Sequence, residues 1–394
     1  MISKSSKAPY LSIAHRPGAI PELDGLRGIA ILLVLLRHGV QPIIEQHGRL
    51  AMIGSWDLAA PLLNGWMGVD LFFVLSGFLI THHLLKRWPS KWSLGFALKY
   101  WSKRILRTFP AYYAAVLIAF SGLVPLFEPA VSDARYSLTV HFLFLQDYLG
   151  SDLVAAFWSL GVEEKFYVLC PFVLVLLRRI PSRWREPTLV VLIFLPLVLR
   201  ITTAISAEHE LLNYAAFFWV VRSPFHVAMD GLWIGVTCAL LFNERLGARR
   251  HYDRAASLLF TASVTAILLL MLPVAWFDEQ LFIASAVILN LVSIAFGGLL
   301  LSVCIGRTPA SGLLRSRWLR VVSVLSYSIY LVHLMFVPLA LEIAEWLPGY
   351  STAGALAQFA MFLPLFLALS AAGGLLLHLS VEKPFLILKD NIRI

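Results

Sequence analysis

Ten runs of mostly apolar residues succeed one another along the chain, at 28–46, 62–85, 105–125, 157–177, 187–206, 214–242, 256–276, 281–304, 319–346 and 353–378. A helix rises about 1.5 Å per residue, so about 20 such residues cross the hydrocarbon core of a bilayer. Each run meets that length or comes close, and shorter polar stretches separate them. The pattern predicts an all-α, polytopic membrane helix bundle of about ten transmembrane helices. The sixth and ninth runs exceed the need, so those helices are expected to tilt or break.

Charge adds an orientation. Nearly all Lys and Arg residues outside the runs lie in alternate connections, in blocks such as Lys86–Arg87, Lys103–Arg104–Arg107, Arg178–Arg179–Arg183–Arg185 and Arg315–Arg317–Arg320. The opposite connections hold Arg49 and Arg135 and collect Glu128, Asp133, Asp152, Glu208, Glu210, Asp278 and Glu279. Positive charge is retained in the cytoplasm, which places both termini there and makes the helix count even. Composition agrees with a membrane bundle: 59% of residues are hydrophobic and 14% charged, against about half and a quarter in a soluble domain. A net charge of +9 raises the question of nucleic acid. The basic residues fall between apolar runs, however, which fits topology and argues against a nucleic-acid partner. Cys170, Cys238 and Cys304 sit in or beside apolar runs without metal or disulfide spacing and read as packing residues. The first run lacks a small-x-small cleavage site and is expected to be a retained helix. Residues 1–394 read as one integral-membrane domain, with 1–20 a flexible cytoplasmic tail and 385–394 a second cytoplasmic tail. The connection at about 126–156 is the candidate cap facing an acceptor. Oligomeric state is not legible.

Five basic residues belong to neither set of connections: Arg27, Arg37, Lys165, Arg200 and Arg222. An ionisable group at membrane depth costs at least a few kcal/mol, so it faces the protein interior or a wet cavity. Arg27 and His38 are eleven residues apart, about three helical turns, which puts them on one face roughly 16 Å apart. They suit a polyphosphate anchor at the mouth and a general base at depth; the bland reading is a topogenic arginine and an interhelical histidine. Arg104 and Arg107, one turn apart, can fork onto phosphates or serve topology alone. Glu163 and Glu164 place two carboxylates inside the fourth run, where Lys165 is expected to neutralise one of them. Arg222, His226 and Asp230 follow i, i+4, i+8 spacing as a polar stripe on the sixth helix, lining a cavity or satisfying one another. His333 follows Ser326-Tyr-Ser-Ile-Tyr330 at depth and by itself reads as an interhelical histidine. His82, His83 and His378 lie near helix ends and carry little signal. No metal site, P-loop or dinucleotide-binding pattern is present.

Six stretches, taken in order, resemble acyltransferase family 3, a family of integral-membrane trans-acylases. They are Glu22-Leu-Asp-Gly-Leu-Arg27-Gly with His38; Gly68-Val-Asp70-Leu-Phe-Phe-Val-Leu-Ser76-Gly; Lys103-Arg104-Ile-Leu-Arg107 with Pro110; Trp158-Ser-Leu-Gly-Val-Glu163-Glu164; Ser326-Tyr-Ser-Ile-Tyr330-Leu-Val-His333; and Val381-Glu-Lys-Pro-Phe385. The resemblance implies a ten-helix enzyme of the bacterial cytoplasmic (inner) membrane. It would take a short acyl group from acyl-CoA, acetyl-CoA above all, to a hydroxyl of a carbohydrate or glycoconjugate, with no tightly bound cofactor. Carried over, His38 would deprotonate the acceptor hydroxyl or relay the acyl group, and Glu163 or Glu164 would orient His38. Arg27, Arg104 and Arg107 would bind acyl-CoA; Lys103 departs from the family's usual arginine. Ser76, Tyr330 and His333 lie at similar depth and are candidate oxyanion donors, while Asp70, Arg222, His226 and Asp230 are further cavity candidates. No hydrolase-like domain is expected after the last run, and a partner transferase is then expected to be a separate protein. Two other classes compete: an exporter or flippase using the polar core as a path, and a proton-coupled transporter using Arg222, His226 and Asp230, which lacks a repeated half.

Overall fold

The computed structural model describes residues 20–89, 92–207, 214–246, 252–273 and 282–392. Residues 1–19 of the expected N-terminal tail, Lys91, the Glu208/Glu210 and Asp278/Glu279 connections, and Arg249, Arg250 and Arg393 lie outside the described residues.

Each apolar run is occupied by helix. The long ones are α1 (Pro21–His47), α2 (Met67–Lys86), α3 (Leu94–Ser121), α4 (Trp158–Arg179), α5 (Ser182–Ser206), α6 (Asp230–Leu241), α7 (Asp253–Met271), α8 (Phe282–Ile305), α9 (Arg317–Val332) and α10 (Ala355–Leu377). Local chemistry sets the ends. Pro21 opens α1 where its missing N–H is no loss, Glu22 and Asp24 favour the positive end of the dipole, and Gly48 closes the helix in the left-handed conformation at φ 73°. Ser93 caps α3 by accepting from the Phe96 N–H at 3.2 Å, so α3 begins well before the apolar run that announced it. The 385–394 stretch continues as helix through Lys383–Asp390. Strand is confined, among the described residues, to the hairpin β1 (Met52–Ile53) and β2 (Trp56–Asp57).

Seven helices among the described residues are long and apolar enough to cross a membrane, so the chain is a multi-pass membrane protein. Three expected spans are too polar or too broken to count with them. α3 carries Lys103, Arg104 and Arg107, and α4 carries Glu163, Glu164 and Lys165. The sixth run is interrupted: a π-turn at Phe218–Arg222 leads to Ser223 and Pro224, a short helix Phe225–Ala228 follows, and α6 starts only at Asp230. Proline removes a donor and disfavours helix at the residue before it, which accounts for the break. All three of these segments contribute candidate site residues.

α1 and α2 form a septum between two apolar clusters. Ile31, Val34, Leu35, Phe73 and Ile80 pack with α3, α4, α9 and α10, while Leu23, Leu26, Leu71, Val74 and Phe78 pack with α6, α7 and α8. In α2, 78% of the most apolar stretch is buried, against 22% in α5 and in α7. α2 is therefore central, and α5 and α7 turn Val190, Val191, Val198, Leu268 and Leu269 outward, as a lipid-facing surface requires.

Glycine lets the central helices approach. A Cβ on Gly77 would overlap the Leu232 backbone, and one on Gly235 would overlap that of Val74, so α2 and α6 touch along their main chains. Gly77→Val is expected to destabilise the bundle by about 1–3 kcal/mol or more, since neither neighbour is a flexible side chain. The readout is a lower midpoint in equilibrium unfolding from mixed micelles, and an unchanged midpoint would show that the contact gives way.

Candidate active site

One end of the bundle gathers the starts of α1, α3 and α9 with the end of α2. Buried Glu22 accepts from Arg315, with Nη2 at 2.6 Å, and Asp24 from Arg320 at 2.9 Å, clamping α1 to α9. Beside this clamp opens a cavity of about 780 Å³. Its wall carries Arg27, Lys86, Arg87, Lys103, Arg104, Arg107 and Lys389 against Asp24 and Asp390. The excess of cations, set in an apolar body, suits a polyanion with several phosphates. Arg104 lies 5.8 Å from the Tyr100 ring and 5.9 Å from the Tyr167 ring. Arg27 keeps a looser contact with Asp24, at 3.7 Å.

The large cavity adjoins a smaller chamber of about 80 Å³, and Arg27, Ser76, Arg107 and Tyr167 line both. Glu163 stands at this junction. Its Oε1 accepts from Ser76 Oγ at 3.0 Å and its Oε2 from Tyr167 at 2.5 Å, while the Arg27 and Arg107 charges act on it. Glu164 is buried and turns towards Thr108 and Arg104. Beyond the junction the chamber is walled by Val69, Phe72, Phe73 and Leu160, with Ser159 and Tyr330. Tyr330 donates to the Ala156 carbonyl at 2.8 Å and meets Ser159 Oγ at 2.6 Å.

His38 lines neither cavity. It is half-buried, with its ring centroid 5.1 Å from that of fully buried His333, and the His333 ring lies 5.7 Å from that of Tyr330. Gln41, one turn on, lies beside His38 and gives its amide N–H to Glu45 at 2.8 Å. The two histidines thus stand behind Tyr330, which separates them from the chamber.

Several expectations are corrected. Neither Glu163 nor Glu164 is joined to His38 by a hydrogen bond; the neighbours of His38 are His333 and Gln41. Lys165 does not neutralise the adjacent acids. Its ammonium reaches Asp147 at 2.6 Å and the Phe144 and Gly161 carbonyls at 2.5 and 3.2 Å. Asp147 is buried in the connection between α3 and α4, and it also accepts from the Phe225 N–H at 3.2 Å. Burial raises its carboxyl, an effect that Lys165 opposes. The Arg222/His226/Asp230 stripe does not exist as one face, because the helix breaks between its members. Arg222 pairs with Asp70 at 2.9 Å, His226 meets the Tyr148 hydroxyl at 3.1 Å, and Asp230 pairs with Arg200 at 2.7 Å. Of the five basic residues at depth, four therefore have carboxylate partners, while Arg37 has a buried Nη1 with no partner among the described residues. Ser76 and Tyr330, considered as oxyanion donors, already give their protons to Glu163 and Ala156.

Sequence reasoning did not single out Tyr167, Ser159, Thr108 or Asp147. A hydroxyl one turn from Glu163 was the available signal for Tyr167; the others depend on contacts distant in sequence. The Val381-Glu-Lys-Pro-Phe stretch also acquires a role. Buried Glu382 accepts from Ser328 at 2.7 Å and pairs with His378 at 2.8 Å, tying the end of the chain to the Ser-Tyr-Ser-Ile-Tyr segment.

Comparison with known proteins identifies the family. The family model for acyltransferase family 3, described as an acyltransferase domain, matches residues 20–379. The Bacillus subtilis (strain 168) protein named "Putative peptidoglycan O-acetyltransferase YrhL" is 29% identical over 345 residues, which cover 83% of this chain and 50% of the relative. Peptidoglycan O-acetyltransferase OatA of Listeria monocytogenes is 30% identical over 174 residues, 40% of this chain and 25% of the relative. The chain thus spans half or less of the length of these relatives. No solved structure matches it. With the family match running from the start of α1 to just past the end of α10, the chain belongs to acyltransferase family 3.

Proposed function

We propose that the protein is an O-acyltransferase of the bacterial cytoplasmic membrane. It moves a short acyl group from cytoplasmic acyl-CoA to a hydroxyl of a carbohydrate or glycoconjugate. The observation that carries this reading is that the two cavities meet at Arg27, Ser76, Arg107 and Tyr167, a large basic one on one side and a small one with Phe72, Phe73 and Tyr330 in its wall on the other. Coenzyme A has that shape, a polyphosphate nucleotide followed by a thin arm with the reacting thioester at its tip. Arg27, Arg104 and Arg107 would take the phosphates through charge-assisted hydrogen bonds. The inner chamber of about 80 Å³ is on the order of two or three waters' share of liquid volume, which suits an acetyl group better than a long chain.

In this reading the bundle has ten spans with both termini in the cytoplasm, so that the basic mouth faces the acyl-CoA pool. The 126–156 connection would cover the opposite end, where the acceptor enters. His38 takes the proton of the acceptor hydroxyl as its oxygen attacks the thioester carbonyl, and the thiol leaves towards the basic cavity. The names of the relatives make peptidoglycan sugars the first acceptors to try.

Purified protein in proteoliposomes, given radiolabelled acetyl-CoA and peptidoglycan oligosaccharides, is expected to place label on the sugar in ester linkage. Movement of the sugar across the bilayer without acyl-CoA dependence would instead favour an exporter. Arg107→Ala is expected to raise KM for acyl-CoA by about 10- to 100-fold, since a charge-assisted hydrogen bond contributes about 1.5–3 kcal/mol. A KM within twofold of wild type would remove Arg107 from the phosphate site.

A further inference from the structure

The His38–His333 pair carries a proton argument that rests on the acyltransferase reading. His333 Nδ1 is 2.8 Å from the Tyr330 carbonyl oxygen, and the Ile329 carbonyl lies close as well. A carbonyl can only accept, so the proton of the neutral His333 ring sits on Nδ1. That leaves Nε2 as a lone pair. It is buried, and it has no hydrogen-bond partner among the described residues. A buried acceptor left without a donor is unfavourable unless something fills it during function. The adjacent ring is His38, with centroids 5.1 Å apart and planes at 50°. His333 therefore cannot give an oxyanion a hydrogen bond from Nε2 in its neutral form; it can only receive.

We propose that His333 is the positioning residue of His38: its Nε2, unpaired in this structure, accepts the His38 N–H once the two rings close on bound substrate. The other ring nitrogen of His38 then takes the proton from the acceptor hydroxyl. The acceptor O–H bond breaks and its oxygen forms the new C–O bond to the acyl carbon. The C–S bond of the thioester then breaks. The proton held on His38 ends on the sulfur as the free thiol. No oxidant, reductant or further co-reactant is required. The arrangement gives His38 a fixed tautomer during reaction and steadies the imidazolium that forms. Of the other groups near His38, Gln41 gives its amide N–H to Glu45 at 2.8 Å, and Glu163, which makes no hydrogen bond to His38, is held by Ser76 and Tyr167.

Two conservative substitutions separate this role from a structural one. An Asn amide reproduces a donor at the Nδ1 position but leaves nothing at Nε2; a Gln oxygen reaches the Nε2 position but gives up the bond to Tyr330. His333→Asn is expected to lower kcat by about 10- to 100-fold with KM for acetyl-CoA and sugar unchanged, and His333→Gln is expected to lose less. A residue needed only to hold α9 in shape would give the reverse order. The proposal is overturned if H333N keeps kcat within threefold of wild type, or if H333Q loses as much as H333N. A wild-type measurement guards against variants that do not fold. In mixed light and heavy water the single-turnover rate is expected to fall linearly with deuterium fraction, as one proton in flight requires; a downward bow would mean that the proton moves on past His38 and would also overturn the proposal. Wild-type turnover is the control: no transfer by wild type would defeat the acyltransferase reading itself, whereas transfer with undiminished H333N defeats this step alone.

Discussion

His38→Ala lowers acyl transfer by about 10²–10⁴-fold, the usual contribution of a positioned general base, and leaves the bundle folded and inserted. The expectation has two parts with separate physical reasons. The chemical part follows from the place of His38 behind the chamber wall, where its ring and that of His333 form the histidine pair next to Tyr330. The structural part follows from what holds α1. Its anchors are the Glu22–Arg315 and Asp24–Arg320 pairs and the close seating of Gly25 and Gly28 against the Leu314 and Leu319 backbones, about two to four turns away from His38 along the helix. Truncating a half-buried ring disturbs none of these. The checks are a single-turnover assay with labelled acetyl-CoA, run beside size-exclusion and unfolding measurements on the same preparation. A folded H38A that turns over at the wild-type rate would remove His38 from the chemistry.

Much of the fold could be read from the sequence because membrane insertion depends on local composition. Every apolar run became helix, since a span must satisfy its backbone internally and the sequence records that demand residue by residue. What the pattern could not give is who pairs with whom. Lys165 stands beside two acids in sequence and chooses Asp147, eighteen residues back, because the helix points Lys165 away from Glu163 and Glu164. Arg222, His226 and Asp230 keep helical spacing on paper, yet Pro224 lies between the first two and the spacing rule fails there. The Pro was legible; its effect on the stripe was the step missed. The glycines of Glu-Leu-Asp-Gly-Leu-Arg-Gly are contact surface, with Gly25 and Gly28 seated on the Leu314 and Leu319 backbones, a contact that nothing local in the sequence marks. His38 and Arg27 were found through cost, as polar groups at depth, and that argument needed no partner. Glu163 was found the same way but assigned to the wrong neighbour, since nothing local marks Ser76 and Tyr167 as its donors.

Asp70→Ala is expected to cost about 3–5 kcal/mol of stability, because it strands a buried charge. Asp70 and Arg222 are 5% and 4% exposed and 2.9 Å apart. Arg222 sits 4.5 Å from the Trp66 ring and 5.6 Å from the Trp158 ring, which fixes the guanidinium in place and keeps water from it. With the carboxylate gone it can neither reach solvent nor find another free acid. Asp230 nearby is held by Arg200, and its second oxygen accepts from the Gly231 N–H. Replacing both partners, as in the Asp70→Leu/Arg222→Met double variant, removes the stranded charge and is expected to recover most of the loss, as apolar isosteres do for buried pairs generally. The measurement is equilibrium unfolding of the three variants against wild type in mixed micelles, with acyl transfer assayed on each. A double variant as unstable as Asp70→Ala would show that the pair holds the helices by more than charge balance. Recovery of stability with acyl transfer intact would make the pair architectural. It would also exclude a proton path through Arg222, leaving the chemistry to the other side of α2, where Ser76, Glu163 and Tyr167 meet the mouth of the chamber.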